Sequence, residues 1–161
     1  MLKYKNYNRI SAVEYAKHWA LARNPSYFDF SGYGGDCTNF ISQCLYAGSS
    51  VMNYTPTFGW YYISSYDRAP SWTGVNFLYD FLVNNIGVSV YATITNSSNI
   101  ELGDVIQLGD AAARFYHSLL VSGFTNNDIL ICTHTNDSYM RPLSSYHYAT
   151  IRYLHIEGVR Y

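Results

Sequence analysis

The hydrophobic period of this chain changes once, and that change limits the fold more than any other feature. Up to about residue 83 the apolar residues recur at helical spacing; from residue 88 onward they come in short β-branched or aromatic runs separated by Asn, Gly and Asp turns. Ala12, Tyr15, Ala16, Trp19 and Ala20 form one helical face. Ser11-Ala12-Val13-Glu14 has the form of a capping box ahead of it, and Pro25 sets its end near Arg23-Asn24. Cys37, Phe40, Ile41, Cys44 and Leu45 form a second stripe, entered from the loop Ser31-Gly32-Tyr33-Gly34-Gly35 and stopped at Gly48. A third, shorter helix is predicted from about Thr73 to Val83, with Val75, Leu78, Tyr79 and Leu82 facing inward. Strands are predicted over 88–95, 104–108, 114–123, 128–134 and 150–157. Helices first and a strand meander afterwards predict an α+β fold: N-terminal helices packed on an antiparallel β-sheet, as a single domain over residues 1–161.

Charge and composition narrow the function classes. A formal net charge of -1 gives no electrostatic footprint for nucleic acid or for an anionic membrane surface. No run approaches the ~20 apolar residues that span a bilayer, so no membrane insertion is expected. The first residues, Met1-Leu2-Lys3-Tyr4-Lys5-Asn6-Tyr7, lack the apolar centre of a signal peptide. That fits either a cytoplasmic protein or a mature domain of a secreted or cell-wall protein. The 18 tyrosines are the compositional oddity; each offers a flat apolar face and a polar tip, which suits the core edge or a peptide- or sugar-binding groove. Three cysteines cannot all pair, and Cys37 and Cys44 lie two helical turns apart, too far for a bridge, so free thiols are expected.

Among those thiols Cys37 stands apart. Its position at a helix start supplies free N–H groups and partial positive charge, which favour a thiolate and could hold an oxyanion. The carboxylate of Asp36 beside it opposes the thiolate, and a nearby imidazolium would have to offset that charge. Cys44 and Cys132, on apolar faces, read as small buried hydrophobes. His117 opens the run Ser118-Leu119-Leu120-Val121, and His134 closes Ile129-Leu130-Ile131-Cys132-Thr133. If those strands pair as a hairpin, the two histidines lie near one end of the sheet, where a base and its orienting group would be needed. His18, His147 and His155 lack such a setting. Cys132 and His134 share a strand face and could bind zinc with His147 or His155, but the usual paired-cysteine spacings are missing. No metal or other cofactor is therefore expected.

The segment Gly34-Gly35-Asp36-Cys37-Thr38-Asn39-Phe40-Ile41-Ser42-Gln43-Cys44-Leu45-Tyr46-Ala47-Gly48 resembles the nucleophile segment of a bacterial amidase domain family, amidase type 6. Tyr7-Asn8-Arg9, Ala12-Val13-Glu14-Tyr15-Ala16, Arg23-Asn24-Pro25, Leu102-Gly103-Asp104-Val105-Ile106, Tyr116-His117-Ser118 and Thr133-His134-Thr135 follow its other landmarks in order. That family is similar to the NlpC-type endopeptidases and CHAP-type amidohydrolases, trimmed or rearranged relatives of papain. The resemblance implies a papain-like fold and a cysteine-dependent amide hydrolase working through an acyl-enzyme. Cys37 would be the nucleophile, His117 the base, and His134 the third residue, with Asn136 and Asp137 as alternatives. Asp36, Thr38 and either Tyr27 or Tyr33 would line the oxyanion or substrate site. The implied substrate is a peptide or a peptidoglycan stem peptide, and a monomer would suffice. Thr38-Asn39 replaces the Ser-Gly pair of the cell-wall enzymes, so the resemblance bears less on substrate than on nucleophile. The competing reading is a papain-like module without catalysis that binds wall peptide or glycan through its tyrosines.

Overall fold

The computed structural model describes residues 1–161 and is α+β. The first helix, α1 (Arg9–Trp19), begins three residues earlier than the capping-box reading predicts. Asn8 caps it, its side chain accepting from the Ser11 amide at 3.0 Å, while the Asn8 N–H donates to the Gly48 carbonyl at 2.9 Å. Docking of this entrance against the end of the second helix therefore overrides the local Ser11/Glu14 pattern. Gly48 lies within that helix, α2 (Cys37–Ser49), rather than ending it. A Cβ at Gly48 would stand 2.3 Å from the Tyr7 ring, so close approach is the reason for glycine there. Ser50, left-handed at φ 56°, ends α2 instead.

The predicted third helix corresponds to α4 (Val75–Asn84), and a separate helical turn, α3 (Pro70–Thr73), precedes it across Gly74. Leu78, Phe81 and Leu82 turn inward, while Val75 and Tyr79 are only half-buried. Seven strands follow or precede: β1 (Tyr4–Lys5), β2 (Ser89–Thr95), β3 (Val105–Gly109), β4 (Phe115–Phe124), β5 (Ile129–Thr133), β6 (Ser138–Pro142) and β7 (Thr150–Arg160). All pair antiparallel, in the order β7-β3-β4-β5-β6; β2 and β1 both pair with β7 near its C-terminal end. The short β1 and β6 are strands that the sequence pattern does not announce.

The two faces of the sheet carry separate cores. Val105, Leu120, Cys132 and Leu154 meet Phe40, Ile41, Cys44 and Leu45 of α2 on the helix side. Ile106, Leu108, Leu119, Val121 and Ile131 point the other way, where Leu143, Tyr146 and Tyr153 cover them. Helix α2 is sandwiched so fully that its polar residues are buried too, and each is satisfied. Ser42 Oγ donates to the Trp72 carbonyl and accepts from Trp60 Nε1, Trp72 Nε1 donates to Asn39 Oδ1, and Tyr15 OH donates to Gln43 Oε1. All three cysteines are free and buried. No helix is long and apolar enough to cross a membrane.

The Leu102-Gly103-Asp104-Val105 segment is a structural knot. Asp104, wholly buried, accepts from Arg9 Nη1 at 2.7 Å, the Ile156 amide at 2.9 Å, the Glu101 amide at 2.9 Å and His155 Nδ1 at 2.9 Å. Glu101, Asp104 and His155 come close enough to suggest a metal site. The Arg9 guanidinium already supplies the compensating cation, so the cluster is an ion-pair tie between α1 and β7.

Candidate active site

Cys37 is the first residue of α2, and its thiol meets the sheet where β5 leaves β4. Pairing between those strands runs from Phe124↔Ile129 to Leu120↔Cys132 and then stops. Beyond that point the Ser118 carbonyl accepts from Thr133 Oγ1 at 2.7 Å. The start of α2 packs against β4 at this point. Thr38 fixes the contact from the helix side through a 3.0 Å hydrogen bond between its hydroxyl and that of Ser118. His117 is the neighbouring residue on β4. Strand alternation turns it to the face of Leu119 and Val121, with its ring 5.9 Å from that of Tyr146.

Both groups are nearly buried, Cys37 at 7% exposure and His117 at 8%. Burial pushes the Cys37 thiol up, against donors from Ser118 and Thr38 that pull it down, and Asp36 adds to the rise. Burial, assisted by Arg141, lowers His117 to about 4. At neutral pH the site therefore holds a thiol and a neutral imidazole, with no hydrogen bond between them. The first N–H groups of α2 have no partner within the helix, which leaves donors at the thiol for a developing oxyanion.

Asp36 does not cap α2 with its side chain. Its buried carboxylate accepts from the Phe30 amide at 2.8 Å, Asn39 Nδ2 at 2.9 Å and His134 Nδ1 at 2.5 Å. The other ring nitrogen of His134 lies 2.8 Å from the Trp19 carbonyl, an acceptor, so Nε2 carries a proton. A second proton must then lie between Nδ1 and the Asp36 carboxylate. Asp36 Oδ2 thus has His134 Nδ1 at 2.5 Å and Arg23 Nε at 3.7 Å facing its charge beside Cys37.

This differs from the expectation that His134 orients His117. The strands do bring both to one end of the sheet, but the register extends to Ser118 opposite His134. His134 therefore shares the helix-side face, stacked on Phe40 at 4.0 Å between ring centres, and His117 has the opposite one. Asp137 is engaged by Arg23, whose Nη1 and Nη2 bond its two oxygens at 2.8 and 3.0 Å. Asn136 has φ 56°, next to Thr135 at φ 64°, in the tight turn after β5. The Thr135 hydroxyl accepts the Asp36 N–H at 3.0 Å and would crowd any side chain at Gly35, where φ is +115°.

Arg23 is the residue that sequence reasoning missed. Its Nε lies 3.3 Å from Asp29 and 3.7 Å from Asp36, while its other nitrogens hold Asp137. It ties the loop before Cys37 to the turn after β5, and the only sequence signal was its place in the Arg23-Asn24-Pro25 turn. Tyr27 stacks on Trp72 at 5.9 Å beside Tyr62; burial and the neighbouring tyrosines push its hydroxyl up to about 12. Tyr33 is exposed next to Phe28. Neither hydroxyl bonds the thiol. The alternative zinc set is dispersed, with Cys132 in the core, His134 on Asp36, and His155 on Asp104.

The Thr38–Ser118 hydrogen bond thus joins the helix start that carries Cys37 to the strand that carries His117. Residues 6–156 match the family model described as "Putative amidase domain", and the chain belongs to that family. It is 35% identical over 140 residues to the Bacillus subtilis (strain 168) uncharacterized protein YhbB, covering 84% of this chain and 43% of that protein. The uncharacterized protein YjcM of the same organism is 26% identical over 141 residues, covering 83% of this chain and 32% of its own length. The chain thus spans less than half the length of these relatives. No solved structure matches it.

Proposed function

We propose that the chain is a cysteine-dependent amide hydrolase of papain-like type, related to the NlpC- and CHAP-type enzymes. Cys37 is the nucleophile and His117 the general base. The observation that carries this reading is the 3.0 Å hydrogen bond between the Thr38 and Ser118 hydroxyls, which sets the helix start bearing Cys37 against the strand where His117 adjoins Ser118. Because the resting pair is neutral, attack and proton transfer go together. The thiol sulfur bonds to the amide carbon, its proton passes to His117, and the amides at the start of α2 stabilise the oxyanion. Collapse expels the amine, which takes that proton, and leaves an acyl-enzyme at Cys37. Water then adds, with His117 again as base, releasing the carboxylic acid and restoring the thiol. Asp36 and His134 set the helix start, and the 2.5 Å contact of His134 with Asp36 tempers the charge that opposes sulfur ionisation.

The substrate class that fits is a peptide or a peptidoglycan stem peptide. Purified peptidoglycan and a mixture of N-acylated peptides are incubated with the protein, and newly freed amino groups are quantified by a fluorescent amine reagent. The expected result is turnover that Cys37→Ala and His117→Ala each remove while the far-UV circular dichroism stays that of the wild type. Turnover unchanged in Cys37→Ala would contradict it. The buried, unbonded resting pair favours one other reading, a binding module that has lost catalysis. It predicts retention of the protein on purified peptidoglycan with no release of amines.

A further inference from the structure

We propose that Arg141 is a specificity-determining residue that binds a carboxylate of the substrate beside His117. This rests on the catalytic assignment of Cys37 and His117 and names what the same site recognises. The Arg141 guanidinium lies 3.7 Å over the ring of Tyr146, and that ring stands 5.9 Å from the imidazole of His117. Two of its nitrogens are used to hold it in place: Nε donates to Ser145 Oγ at 2.8 Å and Nη2 to the Ser145 carbonyl at 3.2 Å. Nη1 has no partner, and no carboxylate pairs with this cation, in contrast to Arg9, Arg23 and Arg114, each bound to an aspartate.

A fixed guanidinium with an unused edge, stacked on an aromatic ring, is preorganised for a planar anion; Arg retains its charge and offers forked donors that match a carboxylate. Stacking and two hydrogen bonds already limit its rotamers, so little further order is lost on binding. Its placement has a cost unless something negative arrives, because it is the charged side chain that acts against protonation of His117. A substrate carboxylate on Arg141 would cancel that opposition when His117 must take the thiol proton. One contact would then serve both recognition and proton transfer. A peptide with a free α-carboxylate or an acidic side chain near the scissile amide has this chemistry; the corresponding amide does not.

The test uses thiol reagents that carry the recognition element on a tether. Cys37 is alkylated with N-iodoacetylglycine and N-iodoacetyl-γ-aminobutyrate, each compared with its own carboxamide, and the adduct is mapped by mass spectrometry. The expected result in wild type is a preference for one acid over its amide of about tenfold, the size of one charge-assisted hydrogen bond. The preference falls to unity or below in Arg141→Gln, persists in part in Arg141→Lys, and shrinks as salt is raised. Arg141→Lys keeps the charge and guards against a variant that merely folds poorly. Equal acid-to-amide ratios in wild type and Arg141→Gln, with Cys37 reacting readily in both, overturn the inference and leave the nucleophile standing. A Cys37 inert to acids and amides alike counts against the nucleophile itself and takes the inference with it.

Discussion

Replacing His134 by alanine should be among the most damaging single changes in this protein, although the residue is far from the thiol in sequence. In the native fold it gives a 2.5 Å bond to the buried Asp36 carboxylate, a 2.8 Å bond to the Trp19 carbonyl and a stacked face to Phe40. A hydrogen bond to a charged group is worth about 1.5–3 kcal/mol, and a buried group left unpaired adds about 1–3 kcal/mol. Asp36 keeps the Phe30 amide and Asn39 Nδ2, but loses the partner that neutralises it. The expected cost is about 3–5 kcal/mol, the range for removing one member of a buried ion pair. For a chain of this size that is a fall in Tm of about 6–20 °C. Urea denaturation and thermal melts followed by circular dichroism read both quantities. The double variant Asp36→Asn, His134→Gln removes charge on both sides and should recover at least half of the loss. A Tm within about 2 °C of wild type in His134→Ala, or a double variant worse than the sum of the single ones, refutes the reasoning.

Three further changes follow from the same structure. Gly48→Ala drives a methyl group into the Tyr7 ring and the Asn8 carbonyl, and should cost about 1–3 kcal/mol in urea denaturation. Arg9→Ala strands the buried Asp104 carboxylate and should cost about 3–5 kcal/mol, whereas Arg114→Ala, at an exposed pair with Asp110, should leave the urea midpoint close to that of wild type. His117 at about 4 lies below its ordinary 6.5, so the unfolded chain takes up the extra proton first. Its contribution to stability is complete above pH 6.5 and is lost as the pH falls towards 4, about 3 kcal/mol in all. Comparing denaturation of wild type and His117→Gln across that window isolates the slope, which should be shallower in the variant.

Much of this architecture is legible in the sequence where one physical rule dominates. The stripe from Cys37 to Leu45 gave α2, and the β-branched runs gave five strands, because burial on one side imposes a period. Gly34 and Gly35, both at positive φ, mark the turn that delivers Cys37 to its helix start. Rules failed where a distant contact wins. Asn8 rather than Ser11 caps α1 because its backbone docks on Gly48, and β6 is hidden because Met140 sits at positive φ within it and Pro142 ends it. The Asp36–His134 pair spans 98 residues and has no local signature. Hairpin pairing puts His117 and His134 at one level of the sheet, but level is not face, and the alternation of β4 separates them.

The most direct test of the central assignment is the pH dependence of Cys37 alkylation by iodoacetamide, mapped by peptide mass spectrometry, in wild type and His117→Ala. With a neutral thiol and a neutral imidazole at rest, the wild-type rate should rise through pH about 4 as His117 loses its proton. It should then hold a plateau through neutrality and rise again as the thiol itself ionises above its ordinary range. His117→Ala should lose the plateau and keep only the alkaline rise. Superimposable profiles for the two proteins would contradict the pairing of Cys37 with His117.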